Sequence, residues 1–265
     1  MMQPKPSLEV IKPLFLNVGL ERYWEKYKQL VKPGFFIDPT ITPEDQLSIG
    51  KSKIGGSPDT PTGFTWPDWE GHPMSFIAQI NLEEFPISSI DQNYPTTGIL
   101  HFFYPCDDDV LFSHEFLYDT FPKDQNVVLY TSNLSDLKRF QAGPDINSFS
   151  SCLMNFKFEN TIPVNSFIIE KRFFDNDEEA YVLYEKFCSS YYEMCQHDIG
   201  FRFFGYINGL QYGSQDADTE LLFQADTNDE IGMQWDLSGL LYFYITKEDM
   251  LNRDFNEVFT DLVGT

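Results

Sequence analysis

The chain has 265 residues, with 41 acidic and 18 basic side chains and a formal net charge of −23. That balance argues against nucleic-acid binding, which needs a Lys/Arg patch for phosphate, and against an anionic membrane surface. Hydrophobic residues at 42% and aromatics at 17% exclude a disordered acidic tail.

Residues 14–32 read as an amphipathic helix. Leu20, Tyr23, Trp24, Tyr27, Leu30 and Val31 recur at helical spacing, and Pro33-Gly34 ends the run. Residues 35–50 read as extended or loop, punctuated by Pro39 and Pro43. Residues 54–73, rich in Gly, Pro and Trp, read as ordered loop. Short apolar runs predict strands at 74–80, 98–104, 126–131 and 166–170.

Residues 177–197 predict a helix with Ala180, Tyr181, Tyr184, Phe187, Cys188, Tyr191 and Cys195 on one face. Asp177, Glu178 and Glu179 stand at its N-terminal end, where the helix dipole favours acid. Strands follow at 202–207, 220–225 and 239–245. A last helix is expected over 247–262, with Thr246 and Asp249 at capping-box spacing. Its apolar face is Met250, Leu251, Phe255, Val258, Phe259 and Leu262.

The pattern is α+β and strand-dominated, in a single domain over 1–265. No apolar run is long enough to span a bilayer, and no cleavable leader is read at the N-terminus. Cys106, Cys152, Cys188 and Cys195 have no metal or redox spacing and read as reduced thiols of a cytoplasmic protein.

Two segments resemble each other. Phe76-Ile77-Ala78-Gln79-Ile80-Asn81 precedes Gly98-Ile99-Leu100-His101-Phe102-Phe103-Tyr104. Leu221-Leu222-Phe223-Gln224-Ala225-Asp226 precedes Gly239-Leu240-Leu241-Tyr242-Phe243-Tyr244-Ile245. Gly55-Gly56 stands upstream of the first and Gly205 upstream of the second. Order and spacing predict two repeated β-units, about 51–131 and 201–246, related by a pseudo-twofold axis. Gln79 and Gln224 are then equivalent, with a cleft expected at the seam.

These residues also carry a family resemblance. Ser52-Lys53-Ile54-Gly55-Gly56-Ser57-Pro58, Trp66-Pro67, Gly71-His72-Pro73, Ala78-Gln79-Ile80-Asn81-Leu82 and Gly98-Ile99-Leu100-His101 resemble the YwqG-like family, an uncharacterised bacterial group. Phe204-Gly205-Tyr206, Leu222-Phe223-Gln224-Ala225-Asp226 and Trp235-Asp236 extend the resemblance over the second half. The chain departs from the family at Ile207, where Pro is usual, and in lacking a Gly between Trp235 and Asp236. The resemblance implies a largely β, α+β single domain and no established activity.

Standard catalytic and cofactor motifs are missing from the sequence. No cofactor and no metal site are expected. The carboxylate run from Asp226 lacks the Gly and the terminal Glu of a calcium loop. Gly55-Gly56-Ser57 beside Lys53 can present backbone N–H groups to an anion, although a glycine turn explains it as well.

Candidate ligand residues are Gln79, Asn81, Gln224, Asp226, Trp235 and Asp236. The two carboxylates flank an aromatic wall that can raise a pKa for acid–base work. Candidate partner-face residues are Trp66, Trp69, Asp107, Asp108 and Asp109.

The charge is unevenly placed. Residues 54–122 hold 11 acids and residues 203–246 hold seven, and neither segment has a Lys or Arg. These segments carry 18 of the 23 net negative charges. The leading expectation is an interaction protein with an acidic, aromatic-bearing face for a basic protein partner, with binding favoured over catalysis. The alternative is a small-ligand binder or enzyme with a carboxylate-lined cleft at the seam.

Overall fold

Phe35 and Ile37 alternate with Phe36 and Asp38, a period of two that turns one face of a strand into a core. The computed structural model describes residues 7–85, 94–106, 126–141, 143, 146, 148–164, 169, 171–195, 199–209, 214–235 and 238–264. In it, this segment is β1 (Lys32–Ile41), at the centre of a ten-stranded antiparallel sheet. The first half supplies β2 (Lys53–Ile54), β3 (Asp59–Thr60), β4 (Asp68–Trp69), β5 (His72–Pro73), β6 (Ser75–Asn81), β7 (Ile99–Tyr104), β8 (Val127–Thr131) and β9 (Lys138–Arg139). The second supplies β10 (Cys152–Thr161), β11 (Phe201–Phe203), β12 (Thr219–Asp226), β13 (Leu240–Thr246) and β14 (Phe259–Val263). The large sheet runs β14-β13-β12-β11-β1-β10-β2-β6-β7-β8, and β3–β9 and β4–β5 form two small pairs.

The order reads alike from both edges. β1 and β10 pair along their whole lengths, and each then pairs with the short strand of the other half, β11 or β2. Outward from there the registers match. Lys53 faces Gln79, which faces His101; Arg202 faces Gln224, which faces Tyr242. The register slips at one point in each half, between Phe76 and Ala78 and between Leu221 and Phe223.

The sheet curls so that β7 meets β12 and β13. The Phe102 ring lies 5.1 Å from both Phe223 and Phe243. The inner face is the main core, holding Phe35, Ile37, Phe201, Phe203, Phe223, Phe243 and their neighbours. The outer face is covered separately in each half, around Phe76 and Phe103 in one and around Tyr242 and Tyr244 in the other.

A helical layer forms its own cluster. α1 (Leu8–Asn17), α2 (Trp24–Tyr27) and α3 (Glu178–Cys195) bury Phe15, Trp24, Tyr27, Tyr184 and Phe187 together. Tyr184 Oη and Tyr191 Oη donate to Pro163 O and Asn160 O, tying α3 to the end of β10.

The expected helix at 14–32 is instead α1, a break at Gly19 with φ +94°, and a short helical stretch from Glu21 to Leu30. The segment 35–50, read as extended or loop, contains most of the central strand β1. β10 lies outside every strand that the short apolar runs predict. The last helix is α4 (Lys247–Asn252), stopped by Arg253 in the left-handed region; Phe259 and Leu262 belong to edge strand β14. Thr246 caps α4 by accepting from Asp249 N at 3.1 Å. The expected strand at 166–170 lies almost wholly outside the described residues.

Candidate functional site

The outer face of each half buries a base. Lys53 and Arg202 alternate with core-facing Ile54, Phe201 and Phe203, so both side chains point away from the main core. Both are nevertheless covered, at 0% and 3% exposure. A buried cation must find anionic or hydrogen-bonding partners, and the two halves meet that demand differently.

In the first half the demand is met locally. Arg139 Nε lies 2.9 Å from Asp59 Oδ1 and 2.8 Å from Glu44 Oε2. Lys53 Nζ lies 3.6 Å from Asp59 and 3.5 Å from Glu44 and donates to Ser57 O. Asp59 Oδ2 also accepts from Gly50 N and Gln79 Nε2. Burial opposes ionisation of Asp59, but Arg139, Lys53, Gly50 N–H and Gln79 outweigh it and hold its pKa below the usual carboxylate value. Burial pushes the Lys53 ammonium down against the pull of both carboxylates. The cluster is closed, with two bases matched to two acids.

The Gly55-Gly56-Ser57 amides are occupied from within. Gly55 N and Gly56 N donate to Ile77 O and Phe149 O, and Ser57 N donates to Glu44 Oε1 at 2.8 Å. The segment is a structural glycine turn, and the anion that its Ser57 amide meets is the chain's own Glu44.

In the second half, Arg202 Nη1 pairs with buried Glu159 of β10. Arg202 Nε is buried with no acceptor among the described residues. Burial lowers the Arg202 pKa to about 10, so it stays charged near neutrality. Arg202 and Glu159 line a cleft with Thr161, Tyr191, Tyr192, Tyr206 and Asn208. The cleft has about 20 Å³ of free room, enough for a water-sized group.

Gln79 and Gln224 are both fully buried, and they are not brought together. Gln79 takes Asp59 N at 2.7 Å and gives to Lys51 O at 2.7 Å. Gln224 takes Asn208 N at 3.1 Å and gives to Gly200 O at 2.8 Å. Each clamps the loop that covers its own half. Asn81 Nδ2 donates to Gly50 O and its Oδ1 accepts from Glu83 N, closing the turn after β6. Asp226 is partly exposed at the end of β12.

Trp235 is core, packed edge-on to Tyr104 and Phe149 at 6.0 and 6.3 Å, with Nε1 buried and unpartnered among the described residues. Trp69 is buried with Met74, Phe76 and Phe103. Trp66 is half-buried and donates Nε1–H to Met74 O. Asp236 and Asp107, Asp108 and Asp109 lie outside the described residues.

Sequence reasoning missed Asp59, Glu44, Arg139 and the Arg202–Glu159 pair. One signal was present: Arg202 stands alone in the apolar run Phe201–Tyr206, and a base inside such a strand must be paired.

None of the curated proteins matches the chain. A family model described as a domain of unknown function, DUF1963, matches residues 52–262, which takes in both buried bases, both glutamines and the Arg202 cleft. The chain belongs to the DUF1963 family.

Proposed function

We propose that the protein is a cytoplasmic interaction protein whose exposed carboxylates receive a basic protein partner. The observation that supports this is how the fold spends its bases. Lys32 is paired with Glu220, Lys51 with Glu84, Lys53 and Arg139 with Asp59 and Glu44, and Arg202 with Glu159. Asp216, Asp218, Asp229 and Glu230 are exposed at the two ends of β12 and take part in no ion pair among the described residues. Their segment supplies no Lys or Arg of its own. Exposed charges that lack internal counter-ions set up a field that steers an oppositely charged partner, within a screening length of about 8 Å at physiological salt.

The matching β-strand registers and the paired Gln clamps support reading the two halves as a duplicated unit. The ordered motifs around Gly55-Gly56, Gln79 and Gly98 support placing the chain with the YwqG-like proteins.

Affinity capture at low and high salt tests the function, with a variant carrying Asp216→Asn, Asp218→Asn, Asp229→Asn and Glu230→Gln as the comparison. Basic proteins held by the wild type at low salt, released at high salt and not held by the variant are expected. Capture that salt and the four substitutions leave unchanged overturns the proposal.

A further inference from the structure

Position by position, the two halves build the same outer-face scaffold and then fill it with different chemistry. Asp59 N donates to Gln79 and Asn208 N donates to Gln224, so Asp59 and Asn208 hold corresponding places. Ser57 N donates to Glu44 Oε1, and Tyr206 N donates to Thr161 Oγ1, so Glu44 and Thr161 also correspond. Gln79 faces His101 and Gln224 faces Tyr242 in the sheet, which matches a third pair. The first half has carboxylates and an imidazole at these three places, groups that acid protonates. The second has an amide, an alcohol and a phenol.

His101 lies under the first-half cover, residues 44–50 and 57–60, which flank β2 and pair with β9 through Asp59 and Thr60. It is 1% exposed, and its Nε2 meets Asp59 O of β3 at 2.9 Å. The Leu129 backbone of β8, the Asp59 carboxylate and the Lys53 ammonium of β2 are the other groups around it. Arg139 of β9 holds the cover down through Asp59, Glu44 O and Leu47 O, and Lys53 reaches Glu44 and Asp59 from the sheet. In the second half the Arg202–Glu159 pair joins two strands of the sheet. The cover there is held by Gln224 and Gln215 through neutral bonds, and Asp261 takes Ser214 N–H at its exposed end.

We infer that the first-half cover is a proton-operated latch, released from the sheet in mild acid while the second-half cover stays shut. Beneath the closed cover, burial keeps the imidazole of His101 neutral down to about pH 4. Once the cover lifts, water reaches the ring and it takes a proton at the ordinary 6.5. Between those values the lifted state binds one more proton than the closed state. The opening equilibrium therefore grows about tenfold for each pH unit of acidification. Asp59 is held below the usual carboxylate value while Arg139 and Lys53 face it, so its protonation drives the same release at lower pH. The latch does not depend on the exposed carboxylates at the ends of β12.

Hydrogen exchange read residue by residue by NMR between pH 6.5 and 4 tests the latch, with protection factors removing the intrinsic pH dependence. The Gly50, Ser57 and Asp59 amides are bonded within the latch. They are expected to be less protected than the β1–β10 amides and to lose protection about tenfold per pH unit. The Tyr206, Ile207 and Asn208 amides, bonded to Thr161, Gln215 and Gln224, are expected to keep theirs. His101→Gln keeps a donor toward Asp59 O and takes up no proton. It is expected to abolish the slope at the three latch amides.

Three results overturn the proposal. One is constant protection of the latch amides over this range. Another is an equal fall at Tyr206, Ile207 and Asn208, or latch amides no less protected than those of β1 and β10, either of which makes the loss global. The third is an unchanged slope in a folded His101→Gln protein. The first two are read from the wild type alone, so they hold whether or not the variant folds.

Discussion

Gln79 and Gln224 clamp two different loops in the same way. Each accepts from one backbone N–H of its loop, at Asp59 or Asn208, and donates to a carbonyl eight residues earlier, at Lys51 or Gly200. Both are fully buried, so replacement by Leu keeps the volume and strands two or more polar groups. Each orphaned group costs about 1–3 kcal/mol. Gln79→Leu and Gln224→Leu are each expected to lose about 3 kcal/mol, read from urea midpoints at constant m. The two residues share no partner, so the double variant is expected to be additive within about 0.5 kcal/mol. A small loss from either single variant contradicts the clamp.

Local patterning made the strands at 74–80, 98–104, 126–131, 220–225 and 239–245 legible, along with the 177–197 helix. β1 was hidden by Pro33 and Pro39. They are tolerated because β11 pairs only Phe35–Ile37 on that side, so neither Pro is asked for a bond to it. β10 carries a strand signal without an apolar run: Met154, Phe156 and Phe158 alternate with Asn155, Lys157 and Glu159. The Asp59–Arg139 bond joins residues 80 positions apart, and no local spacing encodes it. The polar glutamines inside apolar runs were visible; that they serve separate loops depends on the curl of the sheet.

Acid should destabilise the fold through His101 and Asp59. Burial depresses the His101 pKa to about 4, against an ordinary 6.5, and its Nε2 lies 2.9 Å from Asp59 O. The unfolded chain therefore takes up a proton near 6.5 that the folded chain refuses until about 4. Stability is full above 6.5, falls as pH drops through that window, and levels off below it. The loss is about 3 kcal/mol. Asp59 is depressed too, so its contribution is present above the ordinary carboxylate pKa and is lost at more acid pH. His101→Gln is expected to flatten stability between pH 6.5 and 4 while leaving the lower limb. An unchanged slope in the variant assigns the titration elsewhere.

Gly55 and Gly63 both have positive φ, +61° and +89°, but only one is crowded. A Cβ on Gly55 would run into the Ser150 carbonyl oxygen and lie 3.0 Å from Phe149, whereas a Cβ on Gly63 meets nothing within 4 Å. Gly63→Ala carries only the left-handed penalty, about 1 kcal/mol. Gly55→Ala carries that and a backbone clash that no rotamer relieves. A midpoint loss at least twice as large at Gly55 is expected, and equal losses would show that the turn relaxes freely.

Trp235 combines a well-packed ring with an unsatisfied donor. Its edge-on contacts with Tyr104 and Phe149 favour an aromatic at this position. Its buried Nε1–H, without an acceptor among the described residues, works against it. Trp235→Phe keeps most of the packing and removes the donor, so the two effects oppose and stability is expected to stay within about 1 kcal/mol. Trp235→Ala removes the ring and is expected to cost about 3–5 kcal/mol. If the Phe variant falls as far as the Ala variant, the indole N–H has a partner and serves the structure. A Phe variant near the wild type with a collapsed Ala variant identifies Trp235 as a packing residue.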